Sequence, residues 1–184
     1  MSDTDRRSFL QQTGAWGTVG AFALSQNTGA AESANDQIRL ACIGCGGRAQ
    51  ELLKSFAGMS GVKIVTLCDV DDSKFANSIK SVEEAGGGTP LVEKDIRRVL
   101  DDKAVDGVVV ATPDHWHAPA SILALDAGKH VYVEKPCGHN IREGRLTLDA
   151  ARRNKKIVQV GTQSRSSPTI IRAMELLRAG AIGE

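Results

Sequence analysis

Ile38-Arg39-Leu40-Ala41-Cys42-Ile43-Gly44-Cys45-Gly46-Gly47-Arg48-Ala49 carries two signals in one run. Ile38 to Ile43 is short and nearly continuously apolar, as in a strand buried on both faces of a parallel sheet. Gly44 to Ala49 then reads GxGxxA and opens a segment, Arg48 to about Ala57, that puts Leu52, Leu53 and Phe56 on one helical face before Gly58. Strand, glycine turn and helix in that order form a dinucleotide fingerprint. Gly44 permits the tight turn, Gly46 lets the backbone approach a pyrophosphate, and Ala49 allows the helix to lie close to the strand. Cys45 and Gly47 complete the turn, whose free N–H groups face an anion. Arg48 is placed to add a charge-assisted contact to phosphate.

Outward from this run, strand and helix alternate without interruption. Lys63 to Cys68 reads as the second strand and Asp71 to Ala85 as a helix, broken by Gly86-Gly87-Gly88. Asp95 caps a short helix to Leu100, and Gly107 to Ala111 is a valine-rich strand. Ala118 to Ala127 is a helix with Pro119 in its first turn and Gly128 after its end. His130 to Val133 and Ile157 to Val160 read as strands, and Ile141 to Arg153 and Pro168 to Arg178 as helices. Repeated units of this length predict an α/β fold, a doubly wound parallel sheet of the Rossmann type, with ligands at the carboxyl ends of the strands.

Asp69 ends the second strand, 20 residues beyond Ala49. A carboxylate there accepts hydrogen bonds from the adenosine ribose hydroxyls and repels a 2′-phosphate, so NAD is the expected cofactor. NADP is less favoured, although Arg48 is a residue able to accommodate its extra phosphate.

Two further strand ends carry unusual clusters: Thr112-Pro113-Asp114-His115-Trp116-His117 and Glu134-Lys135-Pro136. With GCGGRA, CDVD at Asp69, ATPDHWH and VEKPCG in this order, the chain from about Gln37 onward resembles the glucose–fructose oxidoreductase, inositol dehydrogenase and MocA family. That resemblance implies a catalytic role for Lys135. It also implies that Thr112, Pro113, His117 and Glu134 surround the cofactor. The chemistry agrees: a lysine at the strand end can orient a substrate hydroxyl and tune a neighbouring base. Glu134 can hold that ammonium, and Pro136 fixes the chain just after it. His115 and His117 form a potential metal pair without an evident third ligand, so no metal is expected. Trp116 is either a sugar-stacking platform or loop packing, and Gln163 lies within reach of the same region.

Asp5-Arg6-Arg7-Ser8-Phe9-Leu10 resembles a twin-arginine export signal, followed by a modestly apolar stretch to Leu24 and small residues around Thr28 to Ala31. The expected organisation is a signal peptide and linker over residues 1–36, a nucleotide-binding domain over 37–165, and the start of a connection over 166–184. The expected location is the periplasm, reached through the twin-arginine machinery. The apolar stretch is too short and glycine-rich for a stable membrane anchor. Net charge is +1 and aromatic content 4%, which disfavours nucleic acid as a partner. Cys42 and Cys45 have CxxC spacing, but no second pair completes a metal site, and small buried thiols are expected.

The family resemblance implies a second α/β domain that covers the substrate and mediates oligomerisation, absent from this chain. Truncation after the nucleotide-binding domain is therefore expected, with homo-oligomers dependent on the missing part. The expected activity of the whole protein is hydride transfer between NAD and a hydroxyl-bearing carbon of a small sugar-like substrate, a sugar or a cyclitol. The alternatives are an NAD-dependent glycosidase, similar to the family's α-N-acetylgalactosaminidases, and a non-catalytic dinucleotide-binding remnant.

Overall fold

The computed structural model describes residues 37–183. The arginine pair and the rest of the leader-like segment lie outside them. Six parallel strands form one sheet in the order β3-β2-β1-β4-β5-β6. They are β1 (Ile38–Ile43), β2 (Val62–Cys68), β3 (Leu91–Glu93), β4 (Gly107–Val110), β5 (His130–Glu134) and β6 (Val158–Gly161). Between and after them run α1 (Gly47–Ala57), α2 (Phe75–Glu84), α3 (Ile96–Asp101), α4 (His117–Asp126), α5 (Ile141–Asn154) and α6 (Pro168–Arg178). This confirms the doubly wound sheet.

The continuous apolar runs follow from burial on both faces. Ala41 and Ile43 of β1 join a core with Val108 and Val110, against Val99 and Leu100 of α3 and Ala120, Ala124 and Leu125 of α4. Their alternates Cys42 and Val109 join a second core with Leu52 and Leu53 of α1 and Phe75 and Val82 of α2. Successive side chains of one strand thus feed opposite cores, the period of two expected of a strand. Within α1, Ala49, Leu52, Leu53 and Ala57 are buried, a stripe at helical spacing.

The register aligns the strand ends that matter. Ile43 pairs with Cys68 on one side and Val110 on the other, and Val110 pairs with Val133. The next residues, Asp69, Gly44, Ala111 and Glu134, therefore emerge along one edge. The strand order reverses between β1 and β4, and a crevice opens there.

Two local readings are corrected. The helix expected over Asp71 to Ala85 splits into a 3-10 turn at Asp72–Lys74 and α2, because the Asp71 carboxylate accepts from the Ser73 amide and tightens the first turn. The short edge strand β3 was not expected. Leu91 and Val92 are 71% and 50% exposed, so they leave no burial pattern to read. Among the described residues no helix is long and apolar enough to cross a membrane.

Candidate functional site

The glycine turn closes between β1 and α1, and its glycines differ in what they face. Gly44 has φ +87°, and a Cβ there would lie 2.7 Å from the Thr112 amide nitrogen and 2.8 Å from the Ala111 carbonyl. Both the left-handed backbone and the contact with the β4 corner require glycine. At Gly46 the φ is an ordinary −73°, and a Cβ would meet nothing within 4 Å. The protein itself gives no reason for glycine there, so the open space before α1 suits close approach of a ligand. No side chain caps the N-terminus of α1, which leaves its amides available to an anion.

Asp69 braces this turn from the end of β2. Its Oδ2 accepts from the Cys45 amide at 2.7 Å and its Oδ1 from the Asp71 amide at 2.9 Å. Each carboxylate oxygen keeps a second acceptor position, so the pair of hydroxyls of a ribose can still be held.

Two clefts flank the turn. One, of about 590 Å³, has Asp69 at its rim and Val70, Ile96, Pro113 and Trp116 among its walls. The other, of about 440 Å³, gathers Arg48, Asp114, Glu134, Lys135 and Gln163. Thr112 lines both. Its buried Oγ1 is, among the described residues, the side-chain oxygen without a hydrogen-bond partner. A buried unsatisfied hydroxyl is uncommon and fits a ligand that crosses from one cleft to the other. The open Gly46 position, the free helix N-terminus, Asp69 and Thr112 together fit a dinucleotide.

Several expected roles change. Glu134, 4% exposed, was expected to hold the Lys135 ammonium. Instead its Oε1 accepts from Arg48 Nε at 2.9 Å and its Oε2 from the Lys135 backbone amide at 3.2 Å. Arg48, read from sequence as a phosphate ligand, is thus engaged across the crevice, and a second guanidinium nitrogen reaches Glu51. Its pairing with Glu134 raises its pKa above the ordinary arginine value. Lys135 is exposed on the rim of the charged cleft, next to a cis peptide bond to Pro136.

His117 is 3% exposed, and its ring nitrogens lie 2.6 Å from the Pro136 carbonyl and 2.8 Å from the Thr112 carbonyl. It ties the Thr112-Pro113 and Lys135-Pro136 corners together. What it supplies near a cofactor is the position of those corners, not a free ring nitrogen, and it is not available to pair with His115 on a metal. Trp116, 46% exposed, lines the Asp69 cleft.

Gln163 belongs to the charged network. In the amide orientation that satisfies its neighbours, its oxygen accepts from Arg48 at 3.2 Å and its nitrogen donates to the Gly161 carbonyl. Sequence reasoning missed Tyr132 and Gly161. A Cβ at Gly161 would lie 2.7 Å from the Tyr132 hydroxyl and 2.9 Å from Glu134 Oε1. The available signal was a glycine at the end of an otherwise ordinary strand.

All four cysteines are free thiols. Cys42 and Cys45 are 0% and 1% exposed. Burial, with Asp69 nearby, pushes the Cys45 thiol up to about 12, and burial, with Glu93 nearby, does the same to Cys68. The Cys42 thiol is also pushed well up by burial.

A family model described as "Oxidoreductase family, NAD-binding Rossmann fold" (GFO_IDH_MocA) matches residues 38–162. A glycosyl hydrolase family 109 protein of Shewanella pealeana is 29% identical over 153 residues, covering 81% of this chain and 34% of that protein. Glycosyl hydrolase family 109 protein 2 of Shewanella sp. strain ANA-3 is 31% identical, covering 100% of this chain and 45% of that protein. The chain therefore spans less than half the length of these relatives. Among solved structures, the WlbA dehydrogenase of Chromobacterium violaceum, in complex with NADH and UDP-GlcNAcA, superposes with a TM-score of 0.69 at 26% identity. The match covers 78% of this chain and 40% of that one. KijD10, a 3-ketoreductase of Actinomadura kijaniata in complex with NADP, gives a TM-score of 0.70 at 26% identity, covering 80% and 46%.

Proposed function

The chain belongs to the GFO/IDH/MocA oxidoreductase family as its NAD-binding Rossmann domain, and from that premise we propose that the whole protein moves a hydride between NAD and a hydroxyl-bearing carbon of a sugar or cyclitol. The cofactor supplies the hydride acceptor or donor. Gly44 to Arg48 hold its pyrophosphate, Asp69 its adenosine ribose, and Thr112 the crossing between the clefts. Lys135 orients the substrate hydroxyl and stabilises charge on its oxygen as the carbon is oxidised to a carbonyl. The hydroxyl proton goes to a base carried by the remainder of the protein. The observation that carries this reading is the turn itself, open at Gly46 and braced at Cys45 by Asp69. A sugar-like substrate is supported by the UDP-GlcNAcA in the dehydrogenase relative.

Calorimetric titration of this chain tests the cofactor part: NAD should bind more tightly than NADP, and Asp69→Ala should relax that preference. An unchanged preference would remove Asp69 from the ribose site. Lys135→Ala in the whole protein should lower turnover while sparing NAD affinity, and undiminished turnover would remove Lys135 from the reaction.

The family 109 relatives favour a second reading, an NAD-dependent glycosidase in which oxidation is transient and NAD is regenerated. Release of nitrophenol from a nitrophenyl glycoside without net NADH would favour it, and stoichiometric NADH would exclude it. We further propose export through the twin-arginine route to the periplasm, supported by Arg6-Arg7 ahead of Phe9-Leu10, and assembly of homo-oligomers through the remainder of the protein. A lysine pair in place of Arg6-Arg7 should abolish export of the folded protein.

A further inference from the structure

Arg48 stands between the two halves of the candidate site. It lies in the first turn of α1, directly after Gly47, where a bound anion would be drawn to its guanidinium. That guanidinium points across the crevice to Glu134, at 2.9 Å. Glu134 is nearly fully buried, and a buried carboxylate needs a cationic partner. Its Oε1, the oxygen that accepts from Arg48, lies so near β6 that a Cβ at Gly161 would come within 2.9 Å of it. A second cation is tethered one residue away: Lys135 donates its backbone amide to Glu134 Oε2, while among the described residues its ammonium carries no ion pair.

We propose that Glu134 and the cofactor pyrophosphate compete for Arg48, so that cofactor binding releases Glu134 to the Lys135 ammonium and positions Lys135 only in the loaded protein. Arg48 is then a positioning residue for the strand end that carries Lys135. Cofactor would bind before substrate, because the lysine is held for a substrate hydroxyl only after the exchange. The inference rests on the dinucleotide reading of the glycine turn.

Competition has a sign, which makes it testable on this chain. Glu134→Gln keeps the shape, but its amide has a single acceptor oxygen and no charge, so it keeps at most one of the two contacts, with the Lys135 amide or with Arg48, and weakens the hold on Arg48. Calorimetry with NAD and with inorganic pyrophosphate should show Glu134→Gln binding both more tightly, by about threefold to tenfold. Arg48→Ala should bind both more weakly, and Glu134→Gln should add nothing in the Arg48→Ala background. Weaker binding of both ligands by Glu134→Gln would overturn the proposal, because Glu134 would then be holding Arg48 in place for the phosphate. Weaker binding of NAD alone, persisting without Arg48, would overturn it as well, because Glu134 would then touch the cofactor directly. Failure of the wild-type chain to bind NAD would sink the functional reading instead, while the pyrophosphate titrations still report on the competition. As a second readout, pyrophosphate should slow acetylation of Lys135, followed by mass spectrometry, in the wild type and leave it unchanged in Glu134→Gln. Equal slowing in both would refute the transfer to Lys135.

Discussion

Replacing Gly44 and Gly46 separately by alanine should give opposite phenotypes from two positions of one turn. At Gly44 an alanine adopts φ +87° and its methyl group lands 2.7 Å from the Thr112 nitrogen. The left-handed conformation costs about 1–2 kcal/mol. The backbone shift needed to relieve contact with the β4 corner adds about 1–3 kcal/mol, as overpacking does elsewhere. A total of about 2–5 kcal/mol lowers the melting temperature of a domain this size by roughly 2–4 °C per kcal/mol, hence by about 4–20 °C. At Gly46 the backbone is already one that alanine adopts, and nothing lies within 4 Å. The smaller unfolded-state entropy stabilises by about 0.4–1 kcal/mol, and alanine's poorer fit at a helix N-cap offsets a similar amount. Gly46→Ala should therefore melt within a few degrees of wild type. Its methyl group, however, occupies the space proposed for pyrophosphate, and NAD affinity should fall at least about tenfold, or 1.4 kcal/mol. Thermal melts followed by circular dichroism, with calorimetric titration of NAD, measure both quantities. Normal NAD affinity in a folded Gly46→Ala protein would refute the placement of the pyrophosphate. A Gly44→Ala protein as stable as wild type would refute the contact argument.

His117→Ala should cost about 2–4 kcal/mol in urea denaturation, because it removes a buried side chain whose ring lies against the Thr112 and Pro136 carbonyls and whose N–H donates to one of them; a loss under 1 kcal/mol would show that the two corners hold without it. Stability should fall in acid. Arg97 and its backbone amide hold Asp95 down to about 2, and Asp71, Glu93 and Asp126 are lowered by hydrogen bonds from Ser73, from the Asp95 and Lys94 amides, and from Arg153 and Asn154. These carboxylates bind protons more weakly folded than unfolded. Their contribution is complete above about pH 5 and is lost as pH falls through 4 toward 2, so the melting temperature should drop across that window and not between pH 6 and 8. At pH 8 a thiol reagent should modify half-exposed Cys137 first and reach Cys42, Cys45 and Cys68 only on unfolding; rapid reaction of several thiols in the folded protein would contradict their burial.

The fold was legible wherever burial dictated composition. β1, β4 and β5 lie between two cores, so both of their faces are apolar and the runs stand out. β3 was illegible for the opposite reason: its three residues sit at an edge with exposed side chains. The site was legible where chemistry is local in sequence, as in the glycine turn and in Asp69 at the next strand end. It was not legible where partners are remote. Arg48 and Glu134 are 86 residues apart, and nothing in either neighbourhood specifies that they meet. His117 is bound by two backbone carbonyls, which every residue carries and no pattern marks.

The same distinction separates what the two ends of the crevice can do. The Asp69 end is built from local turns, apolar walls and a carboxylate already fixed by two backbone amides. Its geometry is set before any ligand arrives, which suits recognition of the invariant adenosine half of a cofactor. At the Lys135 end, Arg48 serves Glu134, Glu51 and Gln163 from three different elements, while among the described residues Lys135 carries no ion pair. Such a network can rearrange, because exchanging one cation for another at Glu134 leaves the number of charge pairs unchanged. Thr112, shared by both clefts and tied through His117 to the Lys135-Pro136 corner, is the mechanical link between the rigid end and the adaptable one. A substitution that loosens His117 should therefore disturb Lys135 more than Asp69. In the His117→Ala protein, preference for NAD over NADP should survive even where total affinity falls, and loss of that preference would show that the two ends are not separately organised.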